Sequence, residues 1–294
     1  PSKGSLVPGC DLKLTDEVAL NVEVEVEFNS LTCPFSEEEE LCDGGSGMGC
    51  GEARRRPATP CGGATTEQRW LRYDEGALWL GSLRPELSWD RRDNPFNPHR
   101  GTLVYLRSEL TTNLAPGREV LFSKFDALVS GYIPLGRTTT LALSLRSGFI
   151  FHLTDDSRTP SHKLFLLGGR NSIRSYNEES MIPADLNPPC IARTGSGGEQ
   201  YCVSPGGNAY LTFKVELRFP MVPGFIDGAV FSDLGNLWVE PSSINPIDLR
   251  PAAGVGLRLV TPIGPVAFDL GVSLDPDPLR AEDRWNLHFN IGVF

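Results

Sequence analysis

Between Val18 and Phe28 every second residue is apolar: Val18, Leu20, Val22, Val24, Val26 and Phe28 alternate with Ala19, Asn21, Glu23, Glu25 and Glu27. A period of two is that of a β-strand, whose side chains point to opposite faces in turn. The same parity governs 209–219, where Leu211, Phe213, Val215, Leu217 and Phe219 share one face and Tyr210, Thr212, Lys214, Glu216 and Arg218 the other. Eight more segments follow it, at 76–90, 101–112, 119–132, 138–151, 225–235, 252–260, 265–274 and 284–294, so ten strands are predicted. In all ten, charge stays off the middle of the apolar face. With 31 Gly and 24 Pro among 294 residues, a mostly helical chain is excluded.

Alternation alone fits two architectures. A soluble β-sandwich hides its apolar face in a dry centre; a transmembrane barrel turns that face to lipid and keeps its polar face inside. The connections separate them. Short turns at 93–100, 133–137, 220–224 and 261–265 alternate with longer links at 29–75, 152–208, 236–250, 275–283 and, shortest, 112–118. Long loops gathered at one end suit an up-and-down barrel in an outer membrane. Lipid cannot hydrogen-bond a backbone, so a closed sheet is the way strands cross it. No apolar run reaches the ~18 residues that a membrane helix needs. The expected fold is therefore all-β, a transmembrane antiparallel up-and-down β-barrel. Trp79, Trp89, Tyr132, Phe151, Phe219, Trp238 and Trp285 fall near predicted strand ends, where amphipathic rings suit a membrane interface.

The 37 acidic and 27 basic residues give a net charge of −10 without a Lys/Arg-rich run, which excludes nucleic acid as a partner. Of seven cysteines, Cys33, Cys42, Cys50, Cys61, Cys190 and Cys202 lie in the two longest loops, Cys10 precedes the first predicted strand, and none falls within one. The first four lack the spacing of a zinc site, so disulfides are expected, with three connectivities open to them and a Cys190–Cys202 link in the other loop. The run Glu37–Glu40 reads as solvated charge. Gly-rich 44–51 lacks the Lys-Ser/Thr of a phosphate cradle. His99, His152, His162 and His288 have no nucleophile motif beside them, so no catalytic residue and no enzyme is expected, and no metal or cofactor is implied.

Function-bearing motifs appear in the second long loop. Leu166-Leu167-Gly168-Gly169-Arg170-Asn171-Ser172-Ile173-Arg174-Ser175-Tyr176 resembles the signature of the BamA/TamA-type outer-membrane assembly barrels, the bacterial surface antigen family. There a Gly-Gly pair precedes a (Val/Ile)-Arg-Gly-(Phe/Tyr) element on a loop folded into the lumen; Ile173, Arg174 and Tyr176 match, and Ser175 replaces the glycine. Further stretches resemble the family in the same order: Trp89–Gly101 its turn, Val215–Pro220 the strand after the loop, Phe231–Trp238 the next strand, and Gly254–Arg258 with Thr261–Pro265 a hairpin. The ending His288–Phe294 is similar to the aromatic-terminated signal of outer-membrane barrels, with Phe289, Ile291, Gly292 and Phe294 as its seam residues.

That resemblance implies a sixteen-strand barrel of which this chain carries ten. Residues 1–17 would lead in from upstream strands, 18–294 would form the membrane domain, and 29–75 and 152–208 would be external loops. POTRA domains would lie upstream. Inward parity places Asp233 with Asp227 and Phe231, so Arg174 is expected to pair with Asp233, or secondly Glu216, pinning the loop to the wall. The resemblance implies assisted insertion of unfolded β-barrel clients into the outer membrane of a Gram-negative bacterium. Its partners would be membrane lipid, the clients and periplasmic or lipoprotein accessory subunits. A secretion barrel of the same superfamily and a passive or structural pore are the alternatives.

Overall fold

The computed structural model describes residues 2–31, 76–95, 97–116, 119–187, 192–194, 200–261, 264–280 and 282–291. Its strands are β1 (Ser2–Leu6), β2 (Gly9–Lys13), β3 (Val18–Leu31), β4 (Gly76–Asp90), β5 (Gly101–Asn113), β6 (Leu121–Leu135) and β7 (Thr139–His152), then β8 (Ala192–Thr194), β9 (Gln200–Cys202), β10 (Ala209–Val222), β11 (Ile226–Trp238), β12 (Arg250–Thr261), β13 (Gly264–Ser273) and β14 (Trp285–Ile291). A single 12-stranded antiparallel sheet runs β1-β3-β4-β5-β6-β7-β10-β11-β12-β13-β14, with β2 also on β3. β8 and β9 form a separate hairpin within the long loop.

All ten expected segments are strands, four of them two or three residues longer than the alternation suggested. β10 runs to Val222 because a register shift between Pro220 and Val222 carries the pairing past the proline, and β11 runs to Trp238, which pairs with Ala209. Residues 2–13, expected as a mere lead-in, are themselves strands along the outer edge of β3, interrupted at Pro8, which has no N–H to give. Cys10 therefore lies in β2 and Cys202 in β9, against the expectation that no cysteine sits in a strand. Alternation was too weak in 2–13 and the loop hairpin too short to announce either.

The burial pattern is inverted relative to a soluble protein. Val24, Leu83, Leu106, Phe125, Val129, Leu145, Val230, Val255, Leu270 and Leu287 are exposed, while Glu25, Glu27, Glu109, Glu216, Asp233 and Asp269 on the opposite face are buried. A sandwich would bury the first set, so that architecture is excluded. Trp79, Trp89, Phe151 and Trp285 are outward-facing near strand ends, as an interface requires. Trp238 is not: it is 1% exposed, turned inward at the end of β11.

The inner face is filled from within. Residues 161–187 of the long loop fold back against the wall, and their Phe165, Leu167, Ile173, Tyr176 and Met181 pack with Leu80, Phe122, Ile150, Tyr210 and Leu237 of the strands. This cluster gives the polar interior an apolar island, and it is what holds the loop near the charged residues below.

Candidate functional site

The loop makes its sharp turn with two glycines. Gly168 and Gly169 have φ of 111° and 92°, a region L side chains rarely adopt. A Cβ on Gly168 would strike the Asn177 carbonyl, and one on Gly169 the Glu178 carboxylate. The turn closes on itself: Gly169 N donates to Tyr176 O at 3.0 Å, Tyr176 N to Ile173 O at 3.2 Å, and Met181 N to Leu167 O at 2.9 Å. Its tip is thereby thrust at the wall, with Ile173 fully buried and Arg174 3% exposed.

Inward positions of five neighbouring strands receive Arg174. Its Nε donates to Asp233 Oδ2 at 2.8 Å, Nη2 to Asp233 Oδ1 at 2.7 Å, and its backbone N to Asp233 Oδ2 at 3.1 Å. Nη1 donates to Glu216 Oε2 at 2.5 Å. Phe231, two residues before Asp233 on β11, lies flat beneath the guanidinium with its centroid 3.3 Å from Cζ. From β12, Arg258 bridges Asp269 of β13 at 2.6 Å and Glu216 at 3.3 Å. From β14, His288 Nε2 donates to the Arg174 carbonyl at 3.0 Å. Burial disfavours the charge on Arg174, but Asp233 and then Glu216 outweigh it and hold the guanidinium more firmly protonated than in water.

Small residues let the tip approach so closely. A Cβ on Gly235 would meet Ile173, on Gly254 the Phe231 ring, and on Gly271 the Arg174 carbonyl. Ser175 stands where the family has glycine, yet Glu179 is the one non-glycine residue at positive φ among those described, so Ser175 carries no backbone strain. Its hydroxyl is buried without a hydrogen-bond partner among the described residues. Tyr176 donates to Glu282 at 2.8 Å, and Glu282 also takes Arg250 at 2.7 Å. Burial, then the Glu282 charge, pushes the Tyr176 phenol upward, which keeps it a neutral donor.

A second charged cluster, absent from the sequence reading, sits where the loop enters. Lys163 Nζ lies 3.3 Å from Glu25 Oε2, 3.1 Å from Glu27 Oε2 and 3.1 Å from Glu109 Oε1, joining β3 to β5. Arg84 of β4 also contacts Glu25 and Glu109, and His162 Nε2 is 3.3 Å from Glu27 Oε1. The signal was available: Glu23, Glu25 and Glu27 share the inward parity, and such a wall calls for cations. His288, which no sequence motif marks, is buried against the loop.

At the C-terminal strand Phe289 faces outward and packs on Phe268 with centroids 5.0 Å apart, and the Ile291 backbone pairs with Val266. Gly292 and Phe294 lie outside the described residues, as do Cys33, Cys42, Cys50, Cys61 and Cys190. Cys202 is disulfide-bonded and Cys10 is free.

A model of the Omp85 superfamily domain matches residues 14–294. The chain is 24% identical over 250 residues to the outer membrane protein assembly factor BamA of Neisseria meningitidis, covering 74% of this chain and 29% of that protein. It is 28% identical over 239 residues to a SAM50-like protein of Schizosaccharomyces pombe, covering 76% and 46%. The chain thus spans less than half the length of either relative. Among solved structures, BamA from Haemophilus ducreyi lacking POTRA domains 1-3 superposes with a TM-score of 0.71 at 15% identity, over 99% of this chain and 54% of that one.

Proposed function

The chain belongs to the Omp85 superfamily, and from that premise we propose that it assists the folding and insertion of other β-barrel proteins into an outer membrane, in a bacterium with two membranes. The observation that carries this reading is the edge of the sheet. Among the described residues β14 pairs with β13 alone, so its other side offers backbone N–H and C=O groups to a further strand. An incoming client strand can add there by β-augmentation, in which main-chain hydrogen bonds replace those to water.

Such a mechanism asks for no catalytic side chain. It asks that the edge be held in place yet accessible, and the Arg174 carbonyl gripping His288 supports the first half of that demand. The outward apolar faces of β3 to β14 suit contact with lipid. A passive pore fits less well, because the loop fills the interior with paired charges where a pore needs open water. In this reading the partners are membrane lipid, unfolded barrel clients, and accessory subunits on the short-turn side.

Reconstitution in liposomes tests it. The full-length protein should accelerate folding of a urea-denatured barrel client at least tenfold over empty lipid, and introducing proline at Leu287, which disturbs the β14 edge, should abolish the gain. Ion conductance with no acceleration would establish the pore instead.

A further inference from the structure

The loop is held at two places that belong to opposite ends of the sheet. Lys163 is seated among carboxylates of β3 and β5, and Arg174, eleven positions later in the sequence, among groups of β10, β11 and β14. Between them Phe165 touches β6, β7 and β10: its ring meets Tyr210 of β10 edge to face at 4.7 Å, lies 4.3 Å from the Lys124 ammonium of β6, and fills the space over Gly148 of β7. Lys124 also donates to the Lys163 carbonyl at 2.6 Å.

From β3 to β14 there are nine strand-to-strand steps, roughly 43 Å along the sheet at ~4.8 Å each. Eleven residues reach at most about 38 Å when fully extended, and this segment turns at Gly168 and Gly169 and is not extended. It touches both ends only because the sheet curls around it. Each strand pair in a sheet can twist and shear a little, and over nine steps these small freedoms accumulate. A short segment bonded to both ends removes that accumulated freedom directly.

We propose that Lys163 is a positioning residue, the second foot of a strut formed by residues 163–174 that sets the separation of β3 from β14. The sheet edge at β14 is then placed from across the lumen as well as by its neighbour β13. The three carboxylates around Lys163 come from strands far from β14 and make no contact with Arg174, so the two feet act on different walls. Lys163 is 6% exposed and its ammonium lies within 3.3 Å of all three acids, which holds it away from solvent. The strut involves no client, so its role is independent of whether the insertion assay succeeds.

The test measures the separation itself. Nitroxides carried on unnatural side chains at the outward positions Val24 and Leu287 report the β3 to β14 distance by pulsed electron resonance in lipid nanodiscs, and avoid the native cysteines. Lys163→Ala is expected to at least double the width of the distance distribution, and Lys163→Arg, which restores a cation, to return it near the parent value. If Lys163→Ala does not fold, Lys163→Met combined with Glu109→Gln removes one charge of each sign and is expected to broaden the distribution likewise. A width unchanged in the charge-removing variant, with hydrogen exchange showing residues 161–165 released, overturns the proposal: Lys163 would then tether the loop without placing the strands.

Discussion

Arg174 and Lys163 hold the same loop by different chemistry. At the β14 side a planar guanidinium meets Asp233 with two parallel N–H groups and Glu216 with a third, while stacking on Phe231. At the β3 side a compact ammonium is shared among Glu25, Glu27 and Glu109, helped by Arg84. A fork fixes direction as well as distance, whereas a point charge fixes only distance. The first contact can therefore orient the loop tip; the second fixes how far its root stands from the wall without setting its direction. The difference also bears on replaceability, because neighbouring Arg84 remains with Glu25 and Glu109 when Lys163 is removed, whereas Arg218 and Arg258 would stay with Glu216 but Asp233 is paired with no cation other than Arg174 among the described residues.

Removing the fork should have the largest effect. Arg174→Ala leaves Asp233, which has no exposed surface, without its counter-charge, and breaking such a buried pair costs about 3 to 5 kcal/mol. In denaturant titrations of the lipid-embedded protein the loss should appear as a lowered midpoint, and Asp233→Asn should raise protease cleavage within 152–208. Arg174→Lys should rescue little, since one ammonium cannot serve both carboxylates and the ring. Equal tolerance of Arg174→Lys and Lys163→Arg would erase the distinction between the feet.

A subtler change acts through space. A Cβ at Gly271 would meet the Arg174 carbonyl, so Gly271→Ala must push the tip off the wall and lengthen the bond from His288, costing about 1 to 3 kcal/mol. Gly131 on β6 has nothing within 4 Å of the same position, and Gly131→Ala supplies the matched control. Hydrogen exchange should rise at residues 172–176 in the first variant and stay at the parent level near Lys163. Loosening of both feet together would mean the segment moves as one rigid piece.

The strands and one of the two feet follow from patterns that local physics imposes. Parity sorted Glu216, Phe231 and Asp233 inward, because adjacent strand residues must face opposite ways, and the family-like Gly168-Gly169…Ile173-Arg174 stretch marked the loop segment that meets them. Lys163 carries no such mark. Its partners are up to 138 residues away on strands whose neighbourhood depends on how the whole sheet curls, and a lone lysine in a turn-rich loop looks solvated. His288 was hidden for the same reason, since its role exists only once the loop returns across the lumen. Trp238 shows the limit of position alone: a strand end faces an interface only if its parity points outward. The edge strands β1 and β2 were invisible because Lys3, Ser5, Gly9 and Asp11 dilute any alternation.

The smallest expected effect lies at the short-turn end, far from both feet, and asks whether the contrast between them is confined to the lumen. Asp93 Oδ1 accepts backbone N–H groups from Asn94 at 3.0 Å, His99 at 2.9 Å and Arg100 at 3.2 Å. The slight burial of the group opposes ionisation, but these donors outweigh it and hold the carboxyl below its usual range. A depressed folded-state pKa means that this contribution is complete above the unfolded value of about 3.9 and disappears as pH falls through the folded one. Amide exchange at residues 94, 99 and 100, corrected for intrinsic rates, should therefore stay protected near neutral pH and lose protection only below about pH 3.9, modestly because the turn is exposed. Asp93→Asn keeps an oxygen acceptor without the charge and should remove the pH dependence while leaving the Val24 to Leu287 distance unaltered. A change in that distance would mean that the turns and the strut share one mechanical unit, and the comparison of two feet would have to become one of three.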